Sequence, residues 1–377
     1  MKNILIFAIR FPGWGGIETV TELIGSQLNS GGYAVSVITQ GAQERPSELL
    51  KSAKYYKMPN ENVYGAPENY SYMDKVLTEN HFDVVVFQDS YAPVEHMICE
   101  LCDKHHLPLY VFEHNSPLFI YNKRELDSIT TPKGFLRRML HPYLLYREKK
   151  RKRYLLEHSN KYVLLSKQFI PEFCHLIGAS EEDERITYIN NPVVPAETKA
   201  DVAKENIILC VCQLGKAKGV DKMLRIWQSI AQQLPEWRFV IVGDGVEKTS
   251  LERMVQEQKI PKVEFTGFAK PTEHYQRASI FWMTSKFEGW PMTLFEAMQQ
   301  GCVPVVFKTF SSVVDIVDEG QNGFLVAPDN YSDFAERTIR LAKGGALRQE
   351  MSRNGIEKAK KFEVENIVKD WVKLLEE

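Results

Sequence analysis

Short apolar segments alternate along the first half of the chain with longer segments whose apolar residues recur at helical spacing. The apolar segments lie at residues 3–9, 34–39, 83–87, 108–112 and 162–166. A helical pattern at residues 18–30 separates the first two of them. Alternation of this kind is typical of βαβ units, in which a helix connects two parallel strands. The pattern therefore predicts an α/β domain built on a parallel sheet.

This pattern stops after a loop signal, Asn190-Asn191-Pro192, and a polar segment rich in turn formers. New apolar segments then follow at residues 207–212, 238–242, 262–266, 280–283 and 303–307. Because strands that are buried on both faces appear as continuous apolar runs, we expect a second parallel sheet. The chain is predicted to form two doubly wound α/β domains in tandem, residues 1–193 and 200–359.

The net charge of this 377-residue chain is close to zero, because 47 Lys and Arg residues are balanced by 49 Asp and Glu residues. Any affinity for nucleic acid or anionic lipid must therefore come from a local patch. No apolar run approaches the roughly 18 to 20 residues that a transmembrane helix needs. We therefore expect that this chain is not an integral membrane protein. Met1 and Lys2 precede a short apolar run as in a signal peptide, but Arg10 interrupts it, which favours a buried first strand.

Six cysteines are scattered over the chain: Cys99, Cys102, Cys174, Cys210, Cys212 and Cys302. They are too few and too scattered for a disulfide framework, which indicates a reducing compartment and a cytoplasmic protein. Cys99 and Cys102, followed by His105 and His106, have a spacing that also occurs in redox and zinc sites. No second Cys-x-x-Cys pair accompanies them, and the surrounding pattern is helical. We interpret the pair as small buried side chains.

One segment, residues 131–153, departs from the balanced charge of the chain. It contains a single acid, Glu148, and nine basic residues: Lys133, Arg137, Arg138, Arg147, Lys149, Lys150, Arg151, Lys152 and Arg153. Leucines, aromatic residues and Met139 lie between them. Basic residues beside apolar ones suit an anionic membrane surface, whereas a solvated helix face or a nucleic-acid patch is the alternative. We favour peripheral membrane association and expect no nucleic-acid partner.

The loop that follows the predicted strand at 280–283 carries the strongest candidate chemistry. Ligands of open α/β sheets bind beyond the carboxyl ends of the strands. Pro291 suits the first turn of a helix and Gly301 its end, so a helix of about ten residues is expected here. Free N–H groups at its start, those of Thr293 and Leu294, would form a site for a phosphate.

Two acids lie close to this helix start. Glu288, in the loop, and Glu296, on the first turns, are placed to accept hydrogen bonds from sugar and ribose hydroxyls. The alternative is that both merely complement the helix dipole or face solvent. The sequence of residues 288–301, however, is EGWPMTLFEAMQQG, which resembles the E-x7-E signature of the family-four glycosyltransferases. The resemblance favours the functional interpretation and implies the GT-B fold, in which two Rossmann-like domains face a cleft.

Further segments resemble the same family in the order that it requires. Gly15 and Gly16 are similar to its N-terminal Gly-Gly loop, where absent side chains let the backbone approach substrate phosphates. His114 lies where the family has a histidine that contacts the donor sugar near the reacting carbon. The alternative for the two glycines is that they merely form a tight turn. The alternative for His114 is that it makes a structural hydrogen bond.

In the second domain, the segment that starts at Cys212 resembles the family pattern GRL…KG(V/I)D, whose Arg and Lys neutralise the donor diphosphate. Lys218 keeps the Lys, but Gln213 replaces the Arg and Cys212 replaces the preceding Gly. Loss of one cation is expected to weaken stabilisation of the leaving group. Lys216 and Lys308 are candidates to substitute for it.

The resemblance implies a retaining hexosyltransferase that moves a hexose-type sugar from a nucleotide diphosphate sugar, with a UDP-sugar as the expected donor. The expected acceptor is a glycan or a lipid-linked glycan in bacterial surface polysaccharide or lipopolysaccharide synthesis. We assign donor binding to Gly15, Gly16, Gln213, Lys218, Gly243, Phe268, Glu288, Thr293, Leu294 and Glu296, with His114, Glu288 and Lys218 as catalytic groups. The acceptor is expected in the first domain, onto which a final helix at residues 360–377 packs back.

No cofactor is expected, and the absence of an Asp-x-Asp motif from the sequence predicts a metal-independent enzyme. Two other functions stay open. A sugar-nucleotide 2-epimerase shares the two-domain architecture, although the E-x7-E signature disfavours it. A non-catalytic subunit that binds a sugar nucleotide is suggested by Gln213.

Overall fold

The structure, a computed structural model, describes residues 2–88, 93–126, 131–196 and 203–377, apart from the side chains of Glu125 and Lys133. The chain divides into two compact units. The first contains Met1–Val194 and Val364–Glu377, and the second contains Pro195–Glu363. Each unit is built on a parallel sheet with helices between the strands, which confirms the predicted fold class.

Seven strands form the sheet of the first unit: β1 (Asn3–Arg10), β2 (Ala34–Gly41), β3 (Lys54–Lys57), β4 (Val84–Phe87), β5 (Leu109–Glu113), β6 (Lys161–Leu164) and β7 (Ile186–Tyr188). Its helices are α1 (Gly16–Ser30), α2 (Pro67–Glu79), α3 (Glu95–Lys104), α4 (Phe119–Lys123), α5 (Pro132–Glu157) and α6 (Phe169–Ile177). The strand order is β3-β2-β1-β4-β5-β6-β7, and every pairing is parallel.

Six strands form the sheet of the second unit: β8 (Ile207–Val211), β9 (Arg238–Val242), β10 (Val263–Gly267), β11 (Ile280–Met283), β12 (Val303–Phe307) and β13 (Phe324–Val326). Its helices are α7 (Val220–Ile230), α8 (Lys248–Glu257), α9 (Thr272–Arg277), α10 (Met292–Gln299), α11 (Val313–Ile316), α12 (Tyr331–Lys343) and α13 (Gly345–Lys360). The order is β10-β9-β8-β11-β12-β13, again parallel throughout.

The central strands are apolar on both faces because helices cover the two sides of each sheet. Residues 4–8 of β1 and 85–87 of β4 have no exposed surface. In the second unit, Trp282 of β11 and Phe239 of β9 are equally buried, and their rings lie 5.1 Å apart. Full burial of one such side chain stabilises a fold by about 1.5 to 3 kcal/mol, so these strands anchor the two cores.

The chain ends in helix α14 (Val364–Glu376), which belongs to the first unit. It packs against α1, and Trp371 stacks on Phe112 of β5 with ring centroids 4.1 Å apart and ring planes 6° apart. The helix was expected to span residues 360–377. In the structure, α13 extends to Lys360 in the second unit before α14 begins.

Both sheets place their first strand beside their fourth, so that the chain reverses direction across the sheet between β1 and β4 and between β8 and β11. This is the strand order of dinucleotide-binding Rossmann domains. At such a switch point the loops after the two neighbouring strands diverge and leave a crevice at their carboxyl ends, where ligands bind.

Candidate functional site

A cavity of about 200 Å³ lies at the switch point of the second unit, where β8 and β11 end. Its polar lining includes Cys212, Gln213, Lys218, Ser285, Glu288 and Thr293. The structure therefore brings together four of the predicted donor-binding residues, namely Gln213, Lys218, Glu288 and Thr293. They come from the loop after β8, the loop after β11 and the first turn of α10.

Lys218 and Glu288 form an ion pair in this cavity, with 2.6 Å between Nζ and Oε1. Gly219, in the left-handed region at φ 65°, turns the loop so that the Thr284 hydroxyl donates to its carbonyl oxygen at 2.8 Å. A Cβ on Gly219 would lie 2.6 Å from the Thr284 carbonyl oxygen, so glycine is required for this contact. Burial opposes the positive charge of Lys218, but Glu288 raises the pKa of Lys218 above its ordinary value.

Gln213 is exposed at the edge of the cavity, where the family pattern has an Arg. Lys216 and Lys308, the two candidate replacements, are also exposed and lie outside the cavity lining. Within the part of the chain that the structure describes, Lys218 is the one cation among the lining residues. Its charge is balanced by Glu288 rather than left unpaired.

Helix α10 begins at Met292, as predicted from Pro291. One predicted feature of its first turn is wrong, because the Leu294 N–H donates to the Pro291 carbonyl oxygen at 3.1 Å. A helix commonly tightens its terminal turn into such an i to i+3 hydrogen bond to satisfy a backbone group that has no helical partner. Leu294 is thus not a free donor, and the candidate N–H on this turn is that of Thr293.

Glu296 lies one turn further along α10 and does not line the cavity. Its carboxylate accepts a hydrogen bond of 2.9 Å from the hydroxyl of Tyr275, which lies on α9. Burial raises the pKa of Glu296 above its ordinary value, although the Tyr275 hydrogen bond acts in the opposite direction. The sequence analysis missed Tyr275, because an aromatic residue on a short helix carries no signal of its partner 21 residues away.

Gly243 and Phe268 lie on the loops after β9 and β10, outside the cavity. Gly243 has a φ of 140°, and a Cβ there would lie 1.9 Å from the carbonyl oxygen of Cys212. Glycine therefore allows this turn to pack against the end of β8. The Phe268 side chain is 93% exposed, so no residue of the described chain fixes its position.

His114 follows β5 in the first unit. Its Nε2 hydrogen-bonds to Oε1 of Gln88, a buried residue that follows β4. Nδ1 of His114 and Nε2 of Gln88 are both buried, and within the described residues Nε2 of Gln88 has no hydrogen-bond partner. Burial lowers the pKa of His114 to about 4 despite the nearby Glu113 carboxylate and a side-chain hydrogen bond with Asn191, so the imidazole is neutral at pH 7. Gln88 gave no sequence signal as a site residue.

A buried ion pair anchors helix α5 next to His114. Lys152 of α5 donates to the carboxylate of Glu113, which also accepts a hydrogen bond of 2.8 Å from the Tyr162 hydroxyl. Both partners of the ion pair are about 1% exposed. The prediction that Lys152 belongs to a basic surface patch is therefore wrong, because this side chain neutralises a buried acid.

Gly15 and Gly16 lie where α1 begins. A Cβ on Gly15 would lie 2.2 Å from a carboxylate oxygen of Glu18, at the flexible end of that side chain. A Cβ on Gly16 would meet nothing within 4 Å. Packing within the fold thus does not demand glycine at Gly16, and the predicted approach of a phosphate stays a prediction.

Two family descriptions match consecutive parts of the chain. Residues 14–197 match the model described as "Glycosyltransferase Family 4", and residues 196–358 match the one described as "Glycosyl transferases group 1". Together they cover both units. The chain belongs to the family-four glycosyltransferases. The predicted family is thereby confirmed.

Relatives of this glycosyltransferase align over most of its length. An uncharacterized glycosyltransferase of Haemophilus influenzae is 25% identical over 100% of both chains. The GalNAc-alpha-(1->4)-GalNAc-alpha-(1->3)-diNAcBac-PP-undecaprenol alpha-1,4-N-acetyl-D-galactosaminyltransferase of Campylobacter jejuni is 23% identical over 93% of this chain and 96% of its own.

Solved structures share the fold of this glycosyltransferase. HepE of Anabaena, in complex with UDP, has a TM-score of 0.75 at 16% identity and covers 100% of both chains. TarM of S. aureus has a TM-score of 0.75 at 13% identity and also covers 100% of both chains. The lipopolysaccharide outer core galactosyltransferase WaaB has a TM-score of 0.73 at 20% identity and covers 98% of both chains. This similarity confirms the GT-B fold of two Rossmann-like domains.

Three further observations concern the glycosyltransferase as described. All six cysteines are free thiols. In the ranges that the structure describes, no three His, Cys, Asp or Glu side chains come together in a way that could hold a metal ion. No helix in those ranges has the length and apolar character needed to cross a bilayer.

Proposed function

We propose that this glycosyltransferase transfers a hexose-type sugar, with retention of configuration, from a UDP-sugar to a hydroxyl of a bacterial surface glycan or its lipid-linked precursor. The observation that carries the proposal is the cavity in which Lys218, Glu288 and the first turn of α10 converge. Two proteins of the same fold, HepE and TarM, are described in complex with UDP. The Campylobacter relative is named for an undecaprenol-linked acceptor, and WaaB for lipopolysaccharide.

The charges of the cavity suit a donor that carries a diphosphate and a sugar. Lys218 and the N–H of Thr293 would bind the diphosphate, since an ammonium group and a helix start both favour an anion. Glu288 would then exchange its contact with Lys218 for sugar hydroxyls, which donate to a carboxylate. Glu296, held by Tyr275, would accept hydrogen bonds from the ribose diol.

The proposed transfer needs no side chain as nucleophile. The bond between the anomeric carbon and the diphosphate oxygen breaks, and the acceptor oxygen forms the new bond on the same face of the sugar. The leaving oxygen takes up the acceptor proton, so Lys218 would act by stabilising the charge that develops there. His114, neutral at pH 7, would orient the donor sugar, as the family resemblance implies. We expect turnover to be unaffected by metal chelation.

The exposed side chains of helix α5 support the proposal that the acceptor lies at a membrane. Between Phe135 and Tyr146 it exposes seven large apolar side chains, each 40 to 65% accessible: Phe135, Leu136, Met139, Leu140, Tyr143, Leu144 and Tyr146. At 3.6 residues per turn these positions fall within about 180° of the helix circumference. Gly134 and His141, on the opposite side, are buried against the unit. The apolar face thus points away from the protein.

Basic side chains accompany this apolar face. Arg137, Arg147, Lys149 and Lys150 are exposed, whereas Lys152 is buried and Arg151 pairs with Glu148 at 2.7 Å. Each exposed cation near an anionic bilayer contributes about 1 kcal/mol, and the apolar side chains add their transfer into the interface. We propose that α5 binds an anionic membrane surface, where a lipid-linked acceptor would be found.

A turnover assay tests the proposed activity. The full chain is incubated with a panel of UDP-sugars and lipid-linked glycans, and UDP release and extension of the glycan are both measured. Glu288→Gln, which keeps the size of the side chain, is expected to abolish transfer. UDP binding without turnover would point to a non-catalytic subunit, and release of an epimerised sugar would point to the epimerase.

A further inference from the structure

Two thiols lie side by side in the donor cavity and have no part in the proposed transfer. Cys210 and Cys212 are alternate residues at the end of β8, so their side chains project from the same face of the sheet. Their sulfur atoms are 3.6 Å apart. Cys212 is partly exposed, and both residues line the cavity that holds Lys218 and Glu288.

The backbone of β8 allows the two sulfurs to be joined. Alternate residues of a strand are separated by about 6.6 Å along the strand axis. Disulfides accept Cα separations of about 4.4 to 6.8 Å, so a bridge here would lie at the long end of that range. Bridges outside relaxed geometry are reduced more readily. A disulfide at this position would therefore be both accessible and reversible.

The surroundings favour a thiolate at Cys212. The hydrogen bond from Cys210 lowers the pKa of Cys212, and Lys218 acts in the same direction, against the effects of burial and of the Glu288 carboxylate. For Cys210, the same hydrogen bond and burial raise the pKa. Reactive cysteines are partly exposed thiols whose pKa is lowered by their surroundings. Cys212 has the character of an attacking thiol, and Cys210 that of a resolving partner.

The other four cysteines are less accessible than Cys212, and none of them lines the donor cavity. Cys99, Cys102, Cys174 and Cys302 are buried. Burial raises the pKa of Cys99 to about 12 and that of Cys102 still further. Cys99 and Cys102 lie within α3, on a packed helix rather than in a cavity. They provide a matched internal control for thiol chemistry at β8.

We propose that Cys210 and Cys212 form an oxidation site for hydroperoxides, at which a reversible disulfide distorts the donor cavity. The Cys212 thiolate attacks the outer peroxide oxygen, the O–O bond breaks, and the released oxygen takes up a proton. The Cys210 sulfur then attacks the sulfenic acid, the S–S bond forms and the S–O bond breaks, and water leaves with the Cys210 proton. With hydrogen peroxide, two thiols become one disulfide and two waters.

The disulfide would alter the cavity because the end of β8 is tightly held. The N–H of Cys212 donates to the Val242 carbonyl oxygen at 3.1 Å, and Gly243 leaves no room beside the Cys212 carbonyl. Drawing the two sulfurs together would therefore strain the chain leading to Gln213 and Lys218. We expect at least tenfold weaker UDP binding in the oxidised protein; this consequence rests on the proposed donor site, whereas the thiol chemistry does not.

Peptide mass spectrometry tests the site directly. The full chain is treated with hydrogen peroxide, its remaining thiols are blocked with iodoacetamide, and the peptide that contains Cys210 and Cys212 is weighed before and after dithiothreitol. The expected peptide resists alkylation and takes two alkyl groups after reduction. The Cys99→Ser/Cys102→Ser variant should behave like the parent, and Cys212→Ser should form no bridge.

Two results would overturn the proposal: full alkylation of both thiols after peroxide treatment, or an intact bridge with unchanged UDP affinity by calorimetry. Recovery of UDP affinity on reduction supports it. If the reduced protein binds no UDP while the peptide still forms the bridge, the proposed donor site fails and the oxidation site stands.

Discussion

The contact between Lys218 and Glu288 determines the charge of the donor cavity. An ion pair presents almost no net charge to a ligand, so a diphosphate must compete with the Glu288 carboxylate for the ammonium group. Gln213 offers a hydrogen-bonding amide and no charge at the position where the family pattern has an Arg. The cavity is therefore expected to bind a diphosphate less strongly than a site with two cations.

Substitutions at these positions test that expectation. Lys218→Ala should lower kcat/KM by about a hundredfold or more, because charged groups at a leaving oxygen contribute about 3 kcal/mol. Gln213→Arg should tighten UDP binding by about tenfold, since it adds a charge-assisted hydrogen bond. Steady-state kinetics with the UDP-sugar measures the first effect, and calorimetry with UDP measures the second. Lys216→Ala, at an exposed position outside the cavity, is the matched control; equal losses at Lys216 and Lys218 would contradict the assignment.

The raised pKa of Glu296, together with its hydrogen bond from Tyr275, leads us to expect that donor affinity depends on pH. The carboxylate must be ionised to accept the ribose hydroxyls, so donor affinity should fall as pH falls through the pKa of Glu296, which burial raises. Glu296→Ala should weaken donor binding by tenfold or more. Tyr275→Phe removes a hydrogen bond that lowers this pKa, so the loss of affinity should begin at a higher pH. An unchanged pH profile in Tyr275→Phe would refute this role.

The lowered pKa of His114 leads us to expect that the free energy of unfolding depends on pH. Its pKa of about 4 in the folded protein lies below the ordinary value of 6.5, so the unfolded chain binds a proton more readily. Stability is therefore lost as pH falls from about 6.5 towards 4. Between pH 7 and pH 5 the loss due to this residue is about 2 kcal/mol. Urea unfolding of the parent and of His114→Gln measures it, and parallel losses in both proteins would argue against the burial of this imidazole.

Among the elements, the buried strands were the easiest to predict. The segments at 238–242, 280–283 and 303–307 coincide with β9, β11 and β12, because strands covered on both faces must be apolar throughout. β3, whose sequence is KYYK, was missed because it is a largely exposed edge strand with charged ends. β13 has only three residues, too few for a pattern.

Contacts between distant elements were beyond the reach of the sequence pattern. Lys152 was assigned to the surface because its neighbours along α5 are basic, and the acid that it neutralises lies 39 residues away on β5. The start of α10 followed from Pro291, but the hydrogen bond that occupies the Leu294 N–H depends on how the first turn closes. Side-chain partners of this kind are set by tertiary packing.

Helix α5 carries the prediction of membrane binding. The full chain should sediment with vesicles that contain anionic phosphatidylglycerol and should remain free with neutral phosphatidylcholine alone. Replacing Leu136, Met139 and Tyr143 with Ser should abolish binding, because it removes the centre of the apolar face. Replacing Arg147, Lys149 and Lys150 with Gln should weaken it and remove its sensitivity to salt.

Light scattering without vesicles gives the necessary control for this test. An apolar face can also be covered by a second copy of the chain. A dimer that the Ser substitutions convert to monomers, together with no sedimentation at low salt, would show that α5 is a subunit interface. Buried Lys152 is left unchanged in both variants, so that the fold is preserved.

For the whole molecule, the shared strand order explains how distant sequence segments meet. In the second unit, β8 and β11 are neighbours although about 70 residues separate them, and the switch point brings Lys218 to Glu288. In the first unit, the adjacent ends of β4 and β5 bring Gln88 to His114. The family resemblance predicted roles for Lys218, Glu288 and His114, whereas the contacts of Gln88, Tyr275 and the thiol pair are visible only in the structure.

The stereochemistry of transfer tests the central claim most directly. The full chain is supplied with an α-linked UDP-sugar and the acceptor that the turnover assay identifies, and the anomeric proton of the product is followed by NMR from the first minutes. We predict a new α-linkage, formed at a rate that matches UDP release and lost in Glu288→Gln. A β-linked product, or a product that forms equally in Glu288→Gln, would contradict it.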